Sequence, residues 1–479
     1  MVNNKLLVKN SIYNTLYKLM NFLFPLVVSM YIARVLKAES IGVVAAAQNN
    51  VRYFTTLAAL GIPTYGVKLI AQYELKSRES SKAFCELFII NGVLSIITTL
   101  AFVVTLLVVP YFSEKRFLYC IVGLVVVFNI FNVDWFFQGI QEYGYIAIRS
   151  FIVKIVFLIC IILFVKNEKD LYVYAALSTV ASVGNYLFNA FRVRKYIVPI
   201  FRGLEYSEHL KHILVLFVSS IAVEIYVLAD TTMLDVMCNS TMVGYYAMST
   251  RIITLVRSLT VAISAVFLPQ MSYLYYLGKK NDFIQLVNKG IHVLGAVSVP
   301  IAIGLFITAD DAIIFAFGNG FKGAILSTRI LSLSIVTVAF SNFVGMQVLV
   351  TLGREKITTI STMCGAIINV AMNYFLIRAL EHNGAAIASM TTELVVMGIQ
   401  MILAAKYIKI DYDLRKVIFS ASVMAISVII TKMMVPYLIL RILASIIIGS
   451  MSYILIMYFL KDEIALSIYK KLSSKGGIR

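Results

Sequence analysis

Residues 121–150 read IVGLVVVFNIFNVDWFFQGIQEYGYIAIRS. An almost wholly apolar run, 121–131, ends in a polar break, and a second apolar run follows from Tyr145. Inside the break Asp134 sits directly against Trp135, the only tryptophan among 479 residues. Gly139 and Gly144 allow a tight connection there. The pattern of apolar run, short polar break and apolar run recurs along the chain and sets its class.

Sixty per cent of the residues are hydrophobic and 14% are charged, against roughly 25% charged in an ordinary soluble domain. A single soluble core stops growing at about 250–300 residues, so water is the wrong solvent for this much apolar surface. About 20 mostly apolar residues carry a helix across the ~30 Å hydrocarbon layer. Such runs number about fourteen, starting near Ile12, Ile41, Ala83, Phe117, Tyr145, Leu171, Ile213, Met242, Gly290, Ile325, Ile357, Gly384, Val417 and Tyr437. Barrel-type alternation is absent, which leaves helices as the structure that satisfies its own backbone in lipid. The expected fold is an all-α polytopic membrane protein. The first run, from Ile12 to about Leu36, is too long for a signal peptide and reads as a retained span.

The formal charge of +18 does not indicate nucleic acid, because the bases lie in short groups between apolar runs rather than on one face. Alternate connections hold most of them: Lys5 and Lys9; Lys68, Lys76, Arg78 and Lys82; Arg192, Arg194, Lys195, Arg202 and Lys211; Lys279, Lys280 and Lys289; Arg354 and Lys356; Lys406, Lys409, Arg415 and Lys416; and the tail. The other connections hold few, such as Lys37, Lys115, Lys169, Lys322 and Arg378. Both termini are therefore expected on the cytoplasmic side. Five scattered cysteines and four histidines show no metal-ligand spacing; no metal and no cofactor are expected.

KAESIGVVAAAQ around Gly42 and NSTMVGYYAMST around Gly244 are faintly alike, each opening a span that carries arginine. Duplicated halves are a common transporter plan. The expected division is a six-helix lobe at 1–200, a second at 201–410, and two added helices with a basic tail at 411–479.

Charge inside a span is costly, at least ~2.5–3.5 kcal/mol at the centre, and marks a pathway or a structural pair. Arg52 lies near the middle of the second span, and Arg251 and Arg257 bracket the middle of the eighth. Glu224 and Glu393 are also central, with Asp230 further out. Asn14, Lys18 and Asn21 share one face of the first span, and Gln48, Arg52 and Thr55 one of the second. Ser220, Glu224, Thr231 and Asp235 approximately share one of the seventh; Thr250, Thr254, Arg257 and Ser264 share one of the eighth. These stripes suggest a hydrated cavity baited with guanidinium groups, which keep their charge when buried and suit phosphate. The competing reading is a set of ion pairs locking helices, for example Glu224 with Arg251 or Arg257.

Four segments carry a resemblance: NSIYNTLYKLMNFLFPLVVSMYIARVL from Asn10, ALGIPTYGVKLIA from Ala59, DWFFQGIQEY from Asp134 and NGAAIAS from Asn383. In order and in span number they resemble the Wzx-type polysaccharide flippases of the multidrug/oligosaccharidyl-lipid/polysaccharide exporter superfamily. The resemblance implies a non-enzymatic transporter of the bacterial cytoplasmic membrane. It would flip undecaprenyl-diphosphate-linked oligosaccharides for capsule or O-antigen assembly, working with polysaccharide polymerase and glycosyltransferases. Arg52, Arg251, Arg257 and Lys18 would then hold the diphosphate, Asn14, Asn21, Gln48 and Thr254 would line the cavity, and Glu224, Glu393 and Asp230 are candidates for coupling to H⁺ or Na⁺. Related flippases place an arginine where the first span here has Lys18. Trp135 is expected as a headgroup anchor, with Asp134 pairing Arg149 or Lys154 either as interfacial anchoring or as a cytoplasmic gate. Two alternatives remain: a cation-coupled multidrug antiporter of the same superfamily and a membrane polysaccharide polymerase. The one outer acidic pair, Asp310–Asp311, reads as a solvated loop.

Overall fold

The computed structural model describes residues 4–410 and 413–466, with side chains for all of these except residues 4–19, 21, 22, 215, 216, 218–220, 222 and 223. The described chain is helical throughout, with no strand. Nine of its helices are long and apolar enough to cross a membrane. Its contacts gather into two compact units, Met1–Gly244 and Tyr245–Arg479.

In the first unit run α1 (Asn4–Ala59), α2 (Ile62–Ile70), α3 (Arg78–Val108), α4 (Arg116–Val127), α5 (Asp134–Gly139), α6 (Tyr143–Phe164), α7 (Leu171–Val193) and α8 (Ser207–Met237). The chain continues through α9 (Ser240–Ala265), α10 (Leu268–Tyr276), α11 (Lys280–Phe317), α12 (Ala324–Ser332) and α13 (Ser334–Asn342). A π-helical stretch, Phe343–Leu349, leads to α14 (Glu355–Ala404), α15 (Arg415–Met434) and α16 (Leu438–Phe459).

Two helices cover more than one expected span. At ~1.5 Å per residue, the 56 residues of α1 would reach roughly 84 Å if straight, far more than a bilayer's thickness. The helix is broken at Lys37, with φ 59°, where the polar sequence KAES separates the first two apolar runs. The 50-residue α14 breaks likewise at Glu381, with φ 52°. Just beyond, a Cβ on Gly384 would lie 2.0 Å from the Leu376 carbonyl oxygen, so only glycine lets the chain fold this closely upon itself. The NGAAIAS segment is thus read as a bend.

Within the first unit α1 packs on α3, α4, α6 and α8, and the short α2 packs on α5. This last contact joins two of the segments that carry the resemblance. A Cβ on Gly66 would come 2.4 Å from the Trp135 ring, and one on Gly139 would meet Ile70 at 2.9 Å. Trp135 is 2% exposed and stacks on Phe84 at 5.5 Å between ring centres. The headgroup-anchor expectation is therefore corrected: the indole is a core side chain, held where glycine leaves it room. A lone tryptophan at a span end does not by itself tell core from interface.

In the second unit α11 packs on α12, α13, α15 and α16. Asp310 and Asp311 lie within α11 rather than in a solvated loop, which corrects the second expectation. Asp310 pairs with Lys432 of α15 and, at 3.7 Å, with Arg329 of α12, while Arg441 of α16 pairs with Asp311, 1% exposed. The aspartates anchor the last two helices to the unit.

Candidate functional site

The second segment of α1 carries a polar turn, Gln48–Asn49–Asn50–Val51–Arg52–Tyr53, inside an otherwise apolar helix. Helical spacing sends these side chains to different neighbours. Asn49 Nδ2 donates to Thr232 Oγ1 (2.8 Å) and to the Leu228 carbonyl (3.2 Å) on α8. The Thr232 hydroxyl gives its own proton to the Leu228 carbonyl at 3.0 Å, so the Tyr53 hydroxyl, 3.0 Å away, donates to Thr232. Asn50 Nδ2 reaches the Tyr119 hydroxyl (3.0 Å) and Asp235 (3.4 Å), and Tyr111 also hydrogen-bonds Asp235. One turn further Arg52 Nη2 donates to Glu224 Oε1 at 2.9 Å.

Glu224, Leu228, Thr232 and Asp235 recur every three to four residues and so present one face of α8. α1 and α8 are therefore zipped by a row of polar bonds ending at the Arg52–Glu224 pair. Reading from composition alone picks out Arg52, Glu224 and Asp235, and misses Asn49, Asn50, Tyr53 and Thr232. The signal available for them is the run QNN inside an apolar helix.

In the second unit Arg257 Nη1 of α9 lies 3.5 Å from Glu393 Oε1 of α14. Arg251, on the same helix, makes no ion pair among the described residues, and the Nε atoms of both arginines are buried without a hydrogen-bond partner. Thr254 between them is exposed. Of the central charges, Arg52 thus pairs with Glu224 and Arg257 with Glu393. Two of the acids expected to serve ion coupling, Glu224 and Glu393, each stand against an arginine expected to hold phosphate.

The remaining candidates separate. Gln48 donates to Ser178 of α7 at 3.0 Å, so its amide is used in helix packing. Asp230 is buried in α8. Asp134 accepts from Arg149 Nη1 at 2.8 Å, and Asn189 of α7 bonds both partners. The Arg149 side chain is buried, 4% exposed. The pair ties α5, α6 and α7 together inside the first unit. The Lys154 ammonium lies 5.7 Å over the Phe24 ring. The side chains of Asn14, Lys18, Asn21 and Ser220 lie outside the described residues.

Against known families, residues 7–275 match the model described as polysaccharide biosynthesis protein. The chain belongs to that family. Two of this family member's relatives are both named "Putative O-antigen transporter". The one from Escherichia coli (strain K12) is 21% identical over 422 residues, 84% of this chain and 97% of that one. The one from Shigella dysenteriae is 23% identical over 385 residues, 79% of this chain and 94% of that one. Among solved structures, the family member's fold is similar to that of the lipid II flippase MurJ in an inward closed conformation. The TM-score is 0.78 at 14% identity, covering 95% of this chain and 100% of that one. A multidrug resistance MATE family transporter of the MOP superfamily, inward-facing, gives 0.63 at 14% identity over 80% and 93%. The recognition carried by the four sequence segments is borne out, and the MurJ/MATE-like all-helical fold with it. Three of those segments fall within the matched residues.

Proposed function

We propose that this protein flips undecaprenyl-diphosphate-linked oligosaccharide repeat units across the bacterial cytoplasmic membrane by alternating access, for assembly of a cell-surface polysaccharide. It is a multi-pass membrane protein of a polysaccharide biosynthesis family, with transporters as its relatives. The observation that carries the lipid-diphosphate reading is the state of α9. Two arginines of one membrane-spanning helix keep buried Nε–H groups unbonded, and among the described residues Arg251 makes no ion pair. An unspent guanidinium in lipid is costly, and a diphosphate offers the oxygens and the charge to satisfy it. Arg52 and Arg257, with Lys18, are its partners in the proposal. Glu224, Glu393 and Asp230 are the groups through which H⁺ or Na⁺ would couple.

The same proposal includes fourteen spans, counting α1 and α14 as two each, and both termini in the cytoplasm. It also includes six-helix lobes at 1–200 and 201–410, with residues 411–479 appended. Polymerase and glycosyltransferases would act before and after the flipping step. The test is reconstitution: purified protein in vesicles moves a lipid-diphosphate oligosaccharide from one leaflet to the other, and Arg52→Ala or Arg257→Ala abolishes the movement. Full activity in both variants would refute the anion site.

A multidrug antiporter would need an anionic first span, and residues 10–36 contain no Asp or Glu. A polymerase would need outward acids free for chemistry, and Asp310 and Asp311 are spent on Lys432, Arg329 and Arg441. Glycan analysis of a deletion strain separates the last two functions: loss of polymerisation leaves single repeat units at the surface, and loss of flipping leaves none.

A further inference from the structure

The Arg52–Glu224 and Arg257–Glu393 pairs are loose in the same way. Arg52 meets Glu224 through one nitrogen and one oxygen, and the second oxygen, Glu224 Oε2, is buried without a hydrogen-bond partner. The Arg52 side chain is itself 52% exposed. Arg257 and Glu393 stand at 3.5 Å, beyond the ~2.7–2.9 Å of a strong charge-assisted bond, and Arg257 Nε is unbonded. The Asp134–Arg149 pair also meets through one nitrogen and one oxygen and leaves Arg149 Nε unbonded, but Asn189 bonds both of those atoms and the arginine side chain is buried. A third side chain braces that pair; among the described residues none braces the Arg52–Glu224 and Arg257–Glu393 pairs.

We propose that Glu224 and Glu393 are internal counter-anions, each covering the arginine of its own unit when no substrate is bound and surrendering it to an incoming diphosphate. The proposal rests on the reading that these arginines bind that group. An uncompensated guanidinium in lipid is unstable, so an empty carrier needs a stand-in anion. A single carboxylate prong competes poorly with a diphosphate, whose oxygens match the guanidinium fork. It can still return and displace the product. Among the described residues of the first unit, Arg52 and Tyr53 on α1 face Glu224, with Asp230 further along α8. Arg257 faces Glu393 from α9. The glutamates therefore set affinity and release together, one in each unit.

The probe is a short-chain prenyl-diphospho-N-acetylglucosamine, whose diester diphosphate keeps its charge through the neutral range. Its binding to the purified full-length protein is measured by titration calorimetry, and its flipping in vesicles gives KM and kcat. Glu224→Gln and Glu393→Gln are expected to bind it about twofold to fivefold more tightly, the range set by losing one partly exposed ionic competitor. Both should lower KM and kcat together, because release slows. Folded Gln variants that bind no more tightly than the parent would show that the glutamates only brace the helices, and would overturn the inference. If a Gln variant does not fold, Glu224→Asp and Glu393→Asp keep the charge but shorten its reach; they should shift affinity in the same direction, and unchanged or weaker binding overturns the inference equally. Arg52→Ala and Arg257→Ala separate the two levels of the argument. Binding lost in them while the Gln variants are unchanged defeats only the counter-anion role, whereas binding retained in them defeats the substrate reading itself.

Discussion

Arg251 is the residue whose chemistry is least accounted for by packing. It sits on a membrane helix, makes no ion pair among the described residues and buries an unbonded Nε. Its value should lie in what it binds. Arg251→Ala is expected to lower vesicle flipping at least about tenfold, since a charge-assisted hydrogen bond contributes ~1.5–3 kcal/mol, with little change in thermal unfolding. Arg149 is the opposite case. Its guanidinium is sealed against Asp134 and Asn189, and truncating it strands a carboxylate. Arg149→Ala should destabilise the protein by about 3–5 kcal/mol, as removing one member of a buried pair does. Replacing Asp134 by alanine as well should restore part of that loss. Chemical denaturation of the single and double variants measures both effects. The sequence leaves Asp134 to choose between Arg149 and Lys154, because nothing in residues 121–150 announces that Asn189 approaches from α7.

Helices, by contrast, were largely legible. Apolar runs starting near Leu171, Met242, Val417 and Tyr437 became α7, α9, α15 and α16, because length and hydropathy are what a bilayer selects. The breaks at Lys37 and Glu381 were legible too, since a 50-residue helix does not fit a ~30 Å slab. Partner choice was not legible. Helical spacing tells which residues share a face but not which helix lies opposite, so Glu224 could not be matched to Arg52, nor Trp135 to Phe84. Glycines supply part of the missing information. A Cβ on Gly42 would lie 1.7 Å from the Ser240 carbonyl oxygen, and one on Gly244 would lie 2.0 Å from that of Ala38. The two related segments thus cross backbone to backbone. Gly42→Ala and Gly244→Ala should each lower the unfolding midpoint measurably and reduce flipping, while Gly184→Ala and Gly304→Ala, where nothing lies within 4 Å, should do neither.

For the molecule as a whole the claims are direction and cargo. The proposed orientation rests on the uneven spread of its 42 lysines and arginines. In a cysteine-free background Ser113→Cys should react with an impermeant thiol reagent added outside intact cells, and Arg202→Cys should react only after permeabilisation. The reverse pattern would invert the topology. Cargo is decided by transport. Vesicles holding the purified protein and a fluorescent undecaprenyl-diphosphate oligosaccharide can be scored by how much label an outside reagent quenches over time. The account predicts rapid exposure of the inner-leaflet pool with the parent protein and exposure at the protein-free rate with Arg52→Ala, Arg251→Ala and Arg257→Ala. Equal exposure by the parent and all three variants would contradict it.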